Sequence, residues 1–146
     1  MIDIPELPAL APAGADRMRA LAETILLDFS HPRVAALVQG RGWQQLTEHG
    51  RIAAAYAFVR DEIAFGYNRD DDLKASEVLA DGYGQCNTKS TLMMALLRAL
   101  GIPCRFHGFT IDKQLQRGAI TGLAYWLAPR NIIHSWVEVW TGERWA

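Results

Sequence analysis

The sequence predicts an α+β domain in which helices on the N-terminal side pack on a small antiparallel sheet. Apolar residues recur at helical spacing through the first two thirds of the chain, and the clearest alternating stretch, Ile132 to Trp140, lies near its end. Helices followed by strands favour this class over a doubly wound parallel sheet, in which helices and strands alternate.

Three segments of the first half are predicted to be helical, after a loose, proline-containing leader over residues 1–15. The first runs from Asp16 to Leu27, although the end of this pattern also fits an extended chain. Ser30 is expected to cap a short helix over 32–40 that carries a proline in its first turn. A longer helix is expected over 46–63, because its apolar residues recur on one face.

The second half is expected to contain one more long helix and two strands. Residues 81–84 include two glycines and predict a flexible hinge. The helix over 87–100 has leucines at four-residue spacing, and glycine and proline follow it as stop signals. Strands are expected over 105–111 and 132–140, and a polar helical turn or loop is expected to begin at Lys113.

The composition excludes several classes of protein. The chain has 146 residues and a formal net charge of −1, which fits one globular domain and gives no sign of a nucleic-acid-binding surface. No apolar run approaches the roughly 18 residues of a membrane span, so we expect a cytoplasmic protein with no membrane partner. Two cysteines are too few for a structural zinc site, and the acidic run 70–72 lacks the rest of a calcium loop. We therefore expect no metal and no cofactor.

Cys86 is the candidate nucleophile because it lies between Gly-Tyr-Gly-Gln and the start of the helix over 87–100. Partial positive charge at a helix N-terminus stabilises a thiolate, and the unpaired amides of the first turn can hold an oxyanion. Offsets of seven to Met93 and eleven to Leu97 place Cys86 above the buried stripe of this helix. A lone cysteine is more often a small buried hydrophobe, which is the interpretation we give Cys104.

The expected base for such a thiol is a histidine, and the sequence offers four. His31 precedes a helix start, His49 lies in a polar stretch, and His107 fits a satisfied position in a strand. His134 begins the strongest strand, in which residues 134, 136, 138 and 140 share one face. A base at a strand end and a thiol at a helix N-terminus are the arrangement that thiol catalysis uses, so His134 is the candidate base.

Two blocks of the sequence resemble the core of transglutaminase-like domains. The first is Gly-Tyr-Gly-Gln-Cys over 82–86, followed by a helix that ends in Leu-Gly-Ile-Pro-Cys-Arg over 100–105. The second is His-Ser-Trp-Val-Glu-Val-Trp over 134–140, followed by a turn and Arg-Trp at 144–145. The resemblance covers roughly residues 50–146.

This resemblance implies a papain-like, transglutaminase-core architecture with a Cys-His-Asp triad. Carried over by position, Cys86 is the nucleophile and His134 is the general base. We accordingly divide the chain into an N-terminal leader with short helices, residues 1–45, and a transglutaminase-like core, residues 46–146. The resemblance gives Cys104 no catalytic role.

The acid of the implied triad has no counterpart at the position where the resemblance implies it, and an acid elsewhere, such as Asp112, is an alternative for which the sequence gives no argument. If Thr141-Gly142 forms a two-residue hairpin loop, Trp140 pairs with Glu143 and His134 faces a position near 149. The sequence ends at Ala146. We therefore expect that the core is truncated at its C-terminus and that the acid belongs to the missing strand.

The residues support two hypotheses of different classes. In the first, the domain is a transglutaminase-like thiol enzyme that acts on amide bonds of a peptide or protein, by acyl transfer or by hydrolysis through a Cys86 thioester. In the second, it is a catalytically inactive module that binds peptides or proteins along a groove of aromatic residues: Tyr83, Trp126, Trp136 and Trp140. The alternative interpretation of these aromatics is that most of them are core residues. The exposed edge of the C-terminal strand is, in addition, a candidate surface for a homodimer.

Overall fold

The computed structural model describes residues 14–112, 114, 122, 126 and 131–146. The helices in these residues are α1 (Gly14–Leu21), α2 (Pro32–Gly40), α3 (Glu48–Asp61), α4 (Ala75–Asp81) and α5 (Cys86–Ala99). The strands are β1 (Ala64–Phe65), β2 (Tyr83–Gly84), β3 (Cys104–Asp112) and β4 (Asn131–Val139), and a 3₁₀ turn covers Trp43–Gln45. Nearly all of the predicted leader, and most of the polar connection predicted after β3, lie outside the described residues. None of the described helices is long and apolar enough to cross a membrane.

Helix α5 forms the centre of the hydrophobic core. Leu92, Leu96 and Leu97 of this helix are fully buried, and α2, α3 and α4 pack around it. Val34 and Val38 of α2 belong to the same apolar cluster. Because burial of apolar surface is the main favourable term in folding, α5 holds the helices and the sheet together.

Strands β3 and β4 form an antiparallel pair that packs on α5. The register opposes Cys104 to Val139 and Phe109 to His134. Cys104 and Val139 lie with the core, whereas His134 and Trp136 point to the other face, because successive residues of a strand alternate. The predicted α+β class, with an antiparallel pair in the C-terminal part, is confirmed.

Helix α1 is shorter than the sequence pattern predicts, since it ends at Leu21 rather than Leu27. The chain after it runs beside α4, where the N–H of Ala75 donates to the carbonyl of Leu26 at 2.8 Å. Leu27 is buried in the core from this segment. Apolar spacing alone does not distinguish a helix end from a buried extended segment, which explains the difference.

Helix α2 occupies its predicted range, but its cap is His31 rather than Ser30. Nδ1 of His31 accepts the N–H of Arg33 at 3.2 Å. The hydroxyl of Ser30 instead donates to Oε1 of Glu23 at 2.6 Å. The cap lies one residue later than predicted, because the hydroxyl of Ser30 is already bonded to Glu23.

The hinge predicted over 81–84 is wrong, because these residues are hydrogen-bonded. Gly82 ends α4 with φ +71°, and β2 pairs in parallel with β1. The N–H of Ala64 donates to the carbonyl of Gly82 at 3.0 Å, and the N–H of Gly66 donates to that of Gly84 at 3.1 Å. This short parallel pair fixes the backbone immediately before Cys86.

The turn after β4 is longer than the predicted two-residue loop. The N–H and the hydroxyl of Thr141 both donate to the carbonyl of Arg144, at 3.0 and 3.1 Å. Trp140 consequently pairs with Trp145 and not with Glu143, its predicted partner. A strand continuing in this register would bring position 151, not 149, opposite His134.

Candidate active site

Cys86 is the first residue of α5, and Gln85 caps this helix. Oε1 of Gln85 accepts the N–H of Asn87 at 3.1 Å, and Oγ1 of Thr88 accepts the N–H of Gln85 at 3.0 Å. These reciprocal bonds satisfy donors that a helix N-terminus otherwise leaves without partners. Within the described residues no acceptor takes the N–H of Cys86, so this donor is available to an anion at the sulfur.

Glycine at position 84 is required because β2 packs closely on the first turn of α5. A Cβ on Gly84 would lie 2.6 Å from Oγ1 of Thr88 and 3.1 Å from Cγ of Lys89. Thr88 is fully buried, so its side chain has no room to move aside. The glycine therefore permits the approach of the chain that positions Cys86.

The thiol of Cys86 is held by two amide oxygens. Its Sγ lies 3.0 Å from Oε1 of Gln85 and 3.7 Å from Oδ1 of Asn87. Because amide oxygens only accept and a thiol carries one hydrogen, the S–H is shared between the two oxygens, with Oε1 of Gln85 the nearer acceptor. Nε2 of Gln85 donates in turn to the carboxylate of Asp71, in the loop before α4.

Strand β4 reaches the start of α5 through one hydrogen bond. Oγ of Ser135 donates to Oδ1 of Asn87 at 2.9 Å. Asn87 is the chain neighbour of Cys86, and Ser135 is the chain neighbour of His134. The fold therefore brings the chain neighbours of the two predicted catalytic residues into contact, whereas His134 itself lies on the β4 face opposite to Ser135.

His134 is half-buried on β4. Its ring meets the ring of Phe109 edge-on, with centroids 5.4 Å apart. Its Nδ1 is buried and has no hydrogen-bond partner within the described residues. In that part of the chain no hydrogen bond joins His134 to Cys86, and the thiol instead contacts Gln85 and Asn87.

A cleft of about 360 Å³ opens beside Cys86. Val59, Met93, Trp136 and Val137 give it apolar walls. Cys86 and Met93 line the same cleft, which agrees with the helical spacing of seven residues between them. Trp136 extends this wall from the face of β4 that also carries His134.

Two cationic side chains line the same cleft. Nζ of Lys89 donates to the carbonyl of Ile63 at 2.8 Å, and burial lowers the pKa of Lys89 although the charge of Asp61 opposes this. The guanidinium of Arg60 lies 5.3 Å from the ring centre of Tyr56 and pairs with Asp61. The cleft thus combines apolar walls with positive charge.

Cys104 is a core residue, in agreement with the sequence analysis. It is fully buried on β3, and its Sγ donates to the carbonyl of Met94 at 3.6 Å. Burial raises the pKa of the Cys104 thiol, although Arg98 opposes this shift. A thiol that is buried and protonated is a poor nucleophile, which leaves Cys86 as the candidate.

The four aromatic residues of the predicted groove differ in their surroundings. Trp140 is buried and packs edge-on against Trp145, with ring centroids 5.6 Å apart. Tyr83, Trp126 and Trp136 are exposed, and Trp136 lines the cleft beside Cys86. Trp140 is therefore a core residue outside such a groove, because its ring packs on Trp145 after the turn that follows β4.

Sequence reasoning missed four residues of the site: Asp71, Gln85, Asn87 and Ser135. Gln85 and Asn87 flank the cysteine, and a polar side chain at a predicted helix cap is a signal that could have identified Gln85. Ser135 follows the histidine on the strand face opposite to the one considered. The contact of Asp71 depends on the loop before α4 and has no local signal.

The fold is similar to a solved structure, that of a proposed cysteine protease from Cytophaga hutchinsonii. The two structures agree with a TM-score of 0.67 at 16% sequence identity, over 99% of this chain and 43% of that one. At this identity the likeness concerns the fold, which is the papain-like combination of helices with small sheets. This chain spans less than half of the C. hutchinsonii protein.

The family model of the Transglutaminase-like superfamily matches residues 35–146. The chain therefore belongs to the transglutaminase-like superfamily. It is also similar to YebA of Bacillus subtilis (strain 168), an uncharacterized protein, with 31% identity over 91 residues. That match covers 62% of this chain and 12% of YebA, so the chain spans a small part of this relative.

Proposed function

We propose that this chain is a thiol enzyme that acts on amide bonds of peptides or proteins, with Cys86 as nucleophile and His134 as general acid–base. The observation that carries the proposal is the hydrogen bond between Ser135 and Asn87 at 2.9 Å, which joins the chain neighbours of the two residues. Membership of the transglutaminase-like superfamily supports the same assignment. Because Cys86 is the first residue of α5, the partial positive charge at the N-terminus of this helix favours its thiolate form.

Acylation would use three groups of this site. The Cys86 thiol passes its proton to the His134 imidazole, and the sulfur attacks the amide carbonyl carbon to form a tetrahedral oxyanion. The N–H of Cys86, which has no acceptor within the described residues, donates to that oxyanion. His134 then gives the proton to the leaving amine as the C–N bond breaks, and a thioester remains on Sγ.

Deacylation would reverse these roles. Water or a second amine attacks the thioester carbonyl, and His134 takes the proton of the attacking group. The C–S bond then breaks, and the proton returns to the sulfur. Attack by water gives a carboxylic acid, which is hydrolysis, and attack by an amine gives a new amide, which is acyl transfer.

The cleft indicates which amides fit beside the sulfur. Val59, Met93 and Val137 offer an apolar surface, and Lys89 adds a positive charge in the same cleft. We propose that the preferred substrate carries an apolar side chain next to the scissile amide, with an acidic group nearby. Both features follow from the complementarity of apolar and charged surfaces.

The proposal includes an approach of His134 to the sulfur. In the resting structure the thiol donates to Gln85 and Asn87. Hydrogen bonds between catalytic groups are often long in free enzymes and tighten only in the substrate complex. We propose that Nδ1 of His134 is the atom that takes the proton from the sulfur, because this nitrogen is buried and no group of the described residues bonds to it.

A second candidate function is a peptide- or protein-binding module without catalysis. It is favoured by the two amide oxygens that already hold the thiol, and by Trp136, which is 43% exposed and lines the cleft. In this case the cleft would bind an apolar segment of a partner while Cys86 stays unmodified.

Acyl trapping distinguishes the two candidates. The protein is mixed with a p-nitrophenyl ester of an acylated hydrophobic amino acid, quenched in acid and mapped by peptide mass spectrometry. We expect a thioester on Cys86 in the wild type and in the control variant Cys104→Ala, and no adduct in Cys86→Ala. Equal labelling of Cys86→Ala and the wild type would contradict the enzyme proposal. An unlabelled wild type that still binds a hydrophobic peptide would favour the binding module.

A further inference from the structure

We infer that Asp71 is a positioning residue that acts through the Gln85 amide and holds the Cys86 thiol in its protonated state. The inference deepens the proposed function and rests on it, because it concerns the reactivity of the same sulfur. Asp71 lies 14 positions before Gln85 and does not itself contact the thiol within the described residues.

The orientation of the Gln85 amide is determined at both ends. The carboxylate of Asp71 only accepts and therefore engages Nε2, whereas the N–H of Asn87 only donates and therefore engages Oε1 at 3.1 Å. Gln85 is 9% exposed, so its amide is shielded from water, whereas the carboxylate of Asp71 belongs to an exposed residue. The carbonyl oxygen of Gln85 consequently faces the sulfur at 3.0 Å.

This orientation favours the thiol over the thiolate. An amide oxygen beside the sulfur accepts from S–H, but it repels a thiolate, which can only accept. Oδ1 of Asn87 is a second acceptor at 3.7 Å, and the hydroxyl of Ser135 fixes it. Oε1 of Gln85 also occupies the N–H of Asn87, a helix-terminal donor that would otherwise serve an anion at the sulfur.

Release of Asp71 would remove the constraint. With the carboxylate absent, the amide can turn and present Nε2 to the sulfur, so that a donor replaces an acceptor beside the thiolate. The N–H of Asn87 then loses its acceptor on Gln85 and becomes available to the sulfur or to an oxyanion. The contact between Asp71 and Gln85 therefore decides whether the helix N-terminus can stabilise the thiolate fully.

Other titratable groups lie on the elements packed near this contact. Arg60 and Lys89 line the cleft with Cys86, Asp72 lines a neighbouring cavity with Asp71 and Asn87, and His134 lies on β4. Within the described residues none of their side chains bonds to the Gln85 amide. Asp72 is therefore a matched control, because its removal changes the local charge as much as removal of Asp71 does.

Alkylation of Cys86 by iodoacetamide tests the inference, since only the thiolate reacts. Rates are measured by peptide mass spectrometry at about pH 6.5 and about pH 9.5, on either side of the ordinary titration of a thiol. We expect Asp71→Ala, which removes the acceptor of Nε2, to raise the rate at the lower pH roughly tenfold relative to the rate at the higher pH, the size of one charge-assisted hydrogen bond. Asp72→Ala is expected to change this ratio less than about twofold, because it removes an exposed charge but no bond to Gln85.

A double-mutant cycle shows whether the effect passes through Gln85. In a Gln85→Leu background the Asp71→Ala substitution should have no further effect on the ratio. If Gln85→Leu does not fold, Asp71→Asn replaces it as the second test, because it removes the charge but keeps an acceptor for Nε2, and it should raise the ratio less than Asp71→Ala does. The inference is overturned by an unchanged ratio in Asp71→Ala, by an equal shift in Asp72→Ala, by an equal increase in Asp71→Asn, or by an undiminished effect without Gln85. Because alkylation needs no acyl substrate, the alkylation rates can be interpreted even if the protein shows no enzymatic activity.

Discussion

Ser135 donates a hydrogen bond through Oγ to Oδ1 of Asn87 over 2.9 Å, and the two residues lie 48 positions apart in the sequence. Ser135 is buried, so this bond is protected from water. It joins the N-terminus of α5 to the strand that carries His134. It therefore ties the start of α5 to β4 beside the two proposed catalytic residues.

Removal of this hydroxyl should weaken both the fold and the site. Within the described residues, Ser135→Ala leaves Oδ1 of Asn87 with only the long thiol contact at 3.7 Å, and we expect a loss of about 1–3 kcal/mol in the free energy of unfolding. Acylation of Cys86 should slow as well, because the strand and the helix are no longer tied. Urea unfolding and acyl trapping measure the two effects. For the unfolding measurement the control is Ser90→Ala, since the described residues give its hydroxyl no hydrogen bond and a smaller loss is expected. Equal losses in the two variants would contradict the role of the Asn87 contact.

Gly84 should tolerate no side chain. In Gly84→Ala the new Cβ meets Oγ1 of the buried Thr88 at 2.6 Å, so the first turn of α5 must shift. We expect a loss of about 1–3 kcal/mol in thermal or urea unfolding, as for an overpacked core, together with slower alkylation of Cys86. Gly40→Ala is the matched control, because a Cβ there meets nothing within 4 Å, and it should be neutral or slightly stabilising. A Gly84→Ala variant as stable and reactive as the control would be inconsistent with the packing described.

The pH dependence of stability should contain a contribution from Glu138 on β4. Burial opposes ionisation of Glu138, but hydrogen bonds from Arg105 at 2.5 Å and Trp136 at 3.5 Å, with the charge of Arg105, outweigh it and lower its pKa. A carboxyl whose pKa is lowered by folding stabilises the fold at pH values above its pKa in the unfolded state. This stabilisation is lost as the pH falls through its pKa in the folded state. We therefore expect Glu138→Gln to lower the urea midpoint at about pH 6 and to have little effect at about pH 3.

The control for this measurement is Glu143→Gln. Glu143 is exposed in the turn after β4, and no hydrogen bond or ion pair within the described residues engages its side chain. Its substitution should change the midpoint by the same small amount at both pH values. A Glu138→Gln effect that is independent of pH would show that the carboxylate charge is not the stabilising feature.

The elements that carry the site are largely visible in the sequence. The helix predicted over 87–100 is α5 at Cys86–Ala99, and the strands predicted over 105–111 and 132–140 are β3 and β4 with ends shifted by one residue. Their periodicity is strong, and glycine and proline mark the end of the helix. The parallel pair of β1 and β2 was not predictable, because two residues carry no pattern and their partners lie 19 positions apart.

The candidate residues of the site could be identified from the sequence, but the hydrogen bonds between them could not. The helix-terminal position of Cys86 follows from local signals, and so does the burial of Cys104. The bonds of Gln85 to Asp71 and of Asn87 to Ser135 depend on how distant segments pack, which no local pattern encodes. The length of the turn after β4 was predicted wrongly for a similar reason, because it depends on the hydrogen bonds that Thr141 donates to Arg144.

The most direct test of the central claim is the single-turnover rate at which an activated acyl ester modifies Cys86 in His134→Asn. If His134 is the base, this rate should fall by a factor of about 10²–10⁴ relative to the wild type, the usual contribution of a positioned general base. His107→Asn is the control, since His107 lies on the same hairpin face, stacks on Trp136 at 4.7 Å and should leave the rate within a fewfold of the wild type. An acylation rate in His134→Asn equal to that of the wild type would contradict the account.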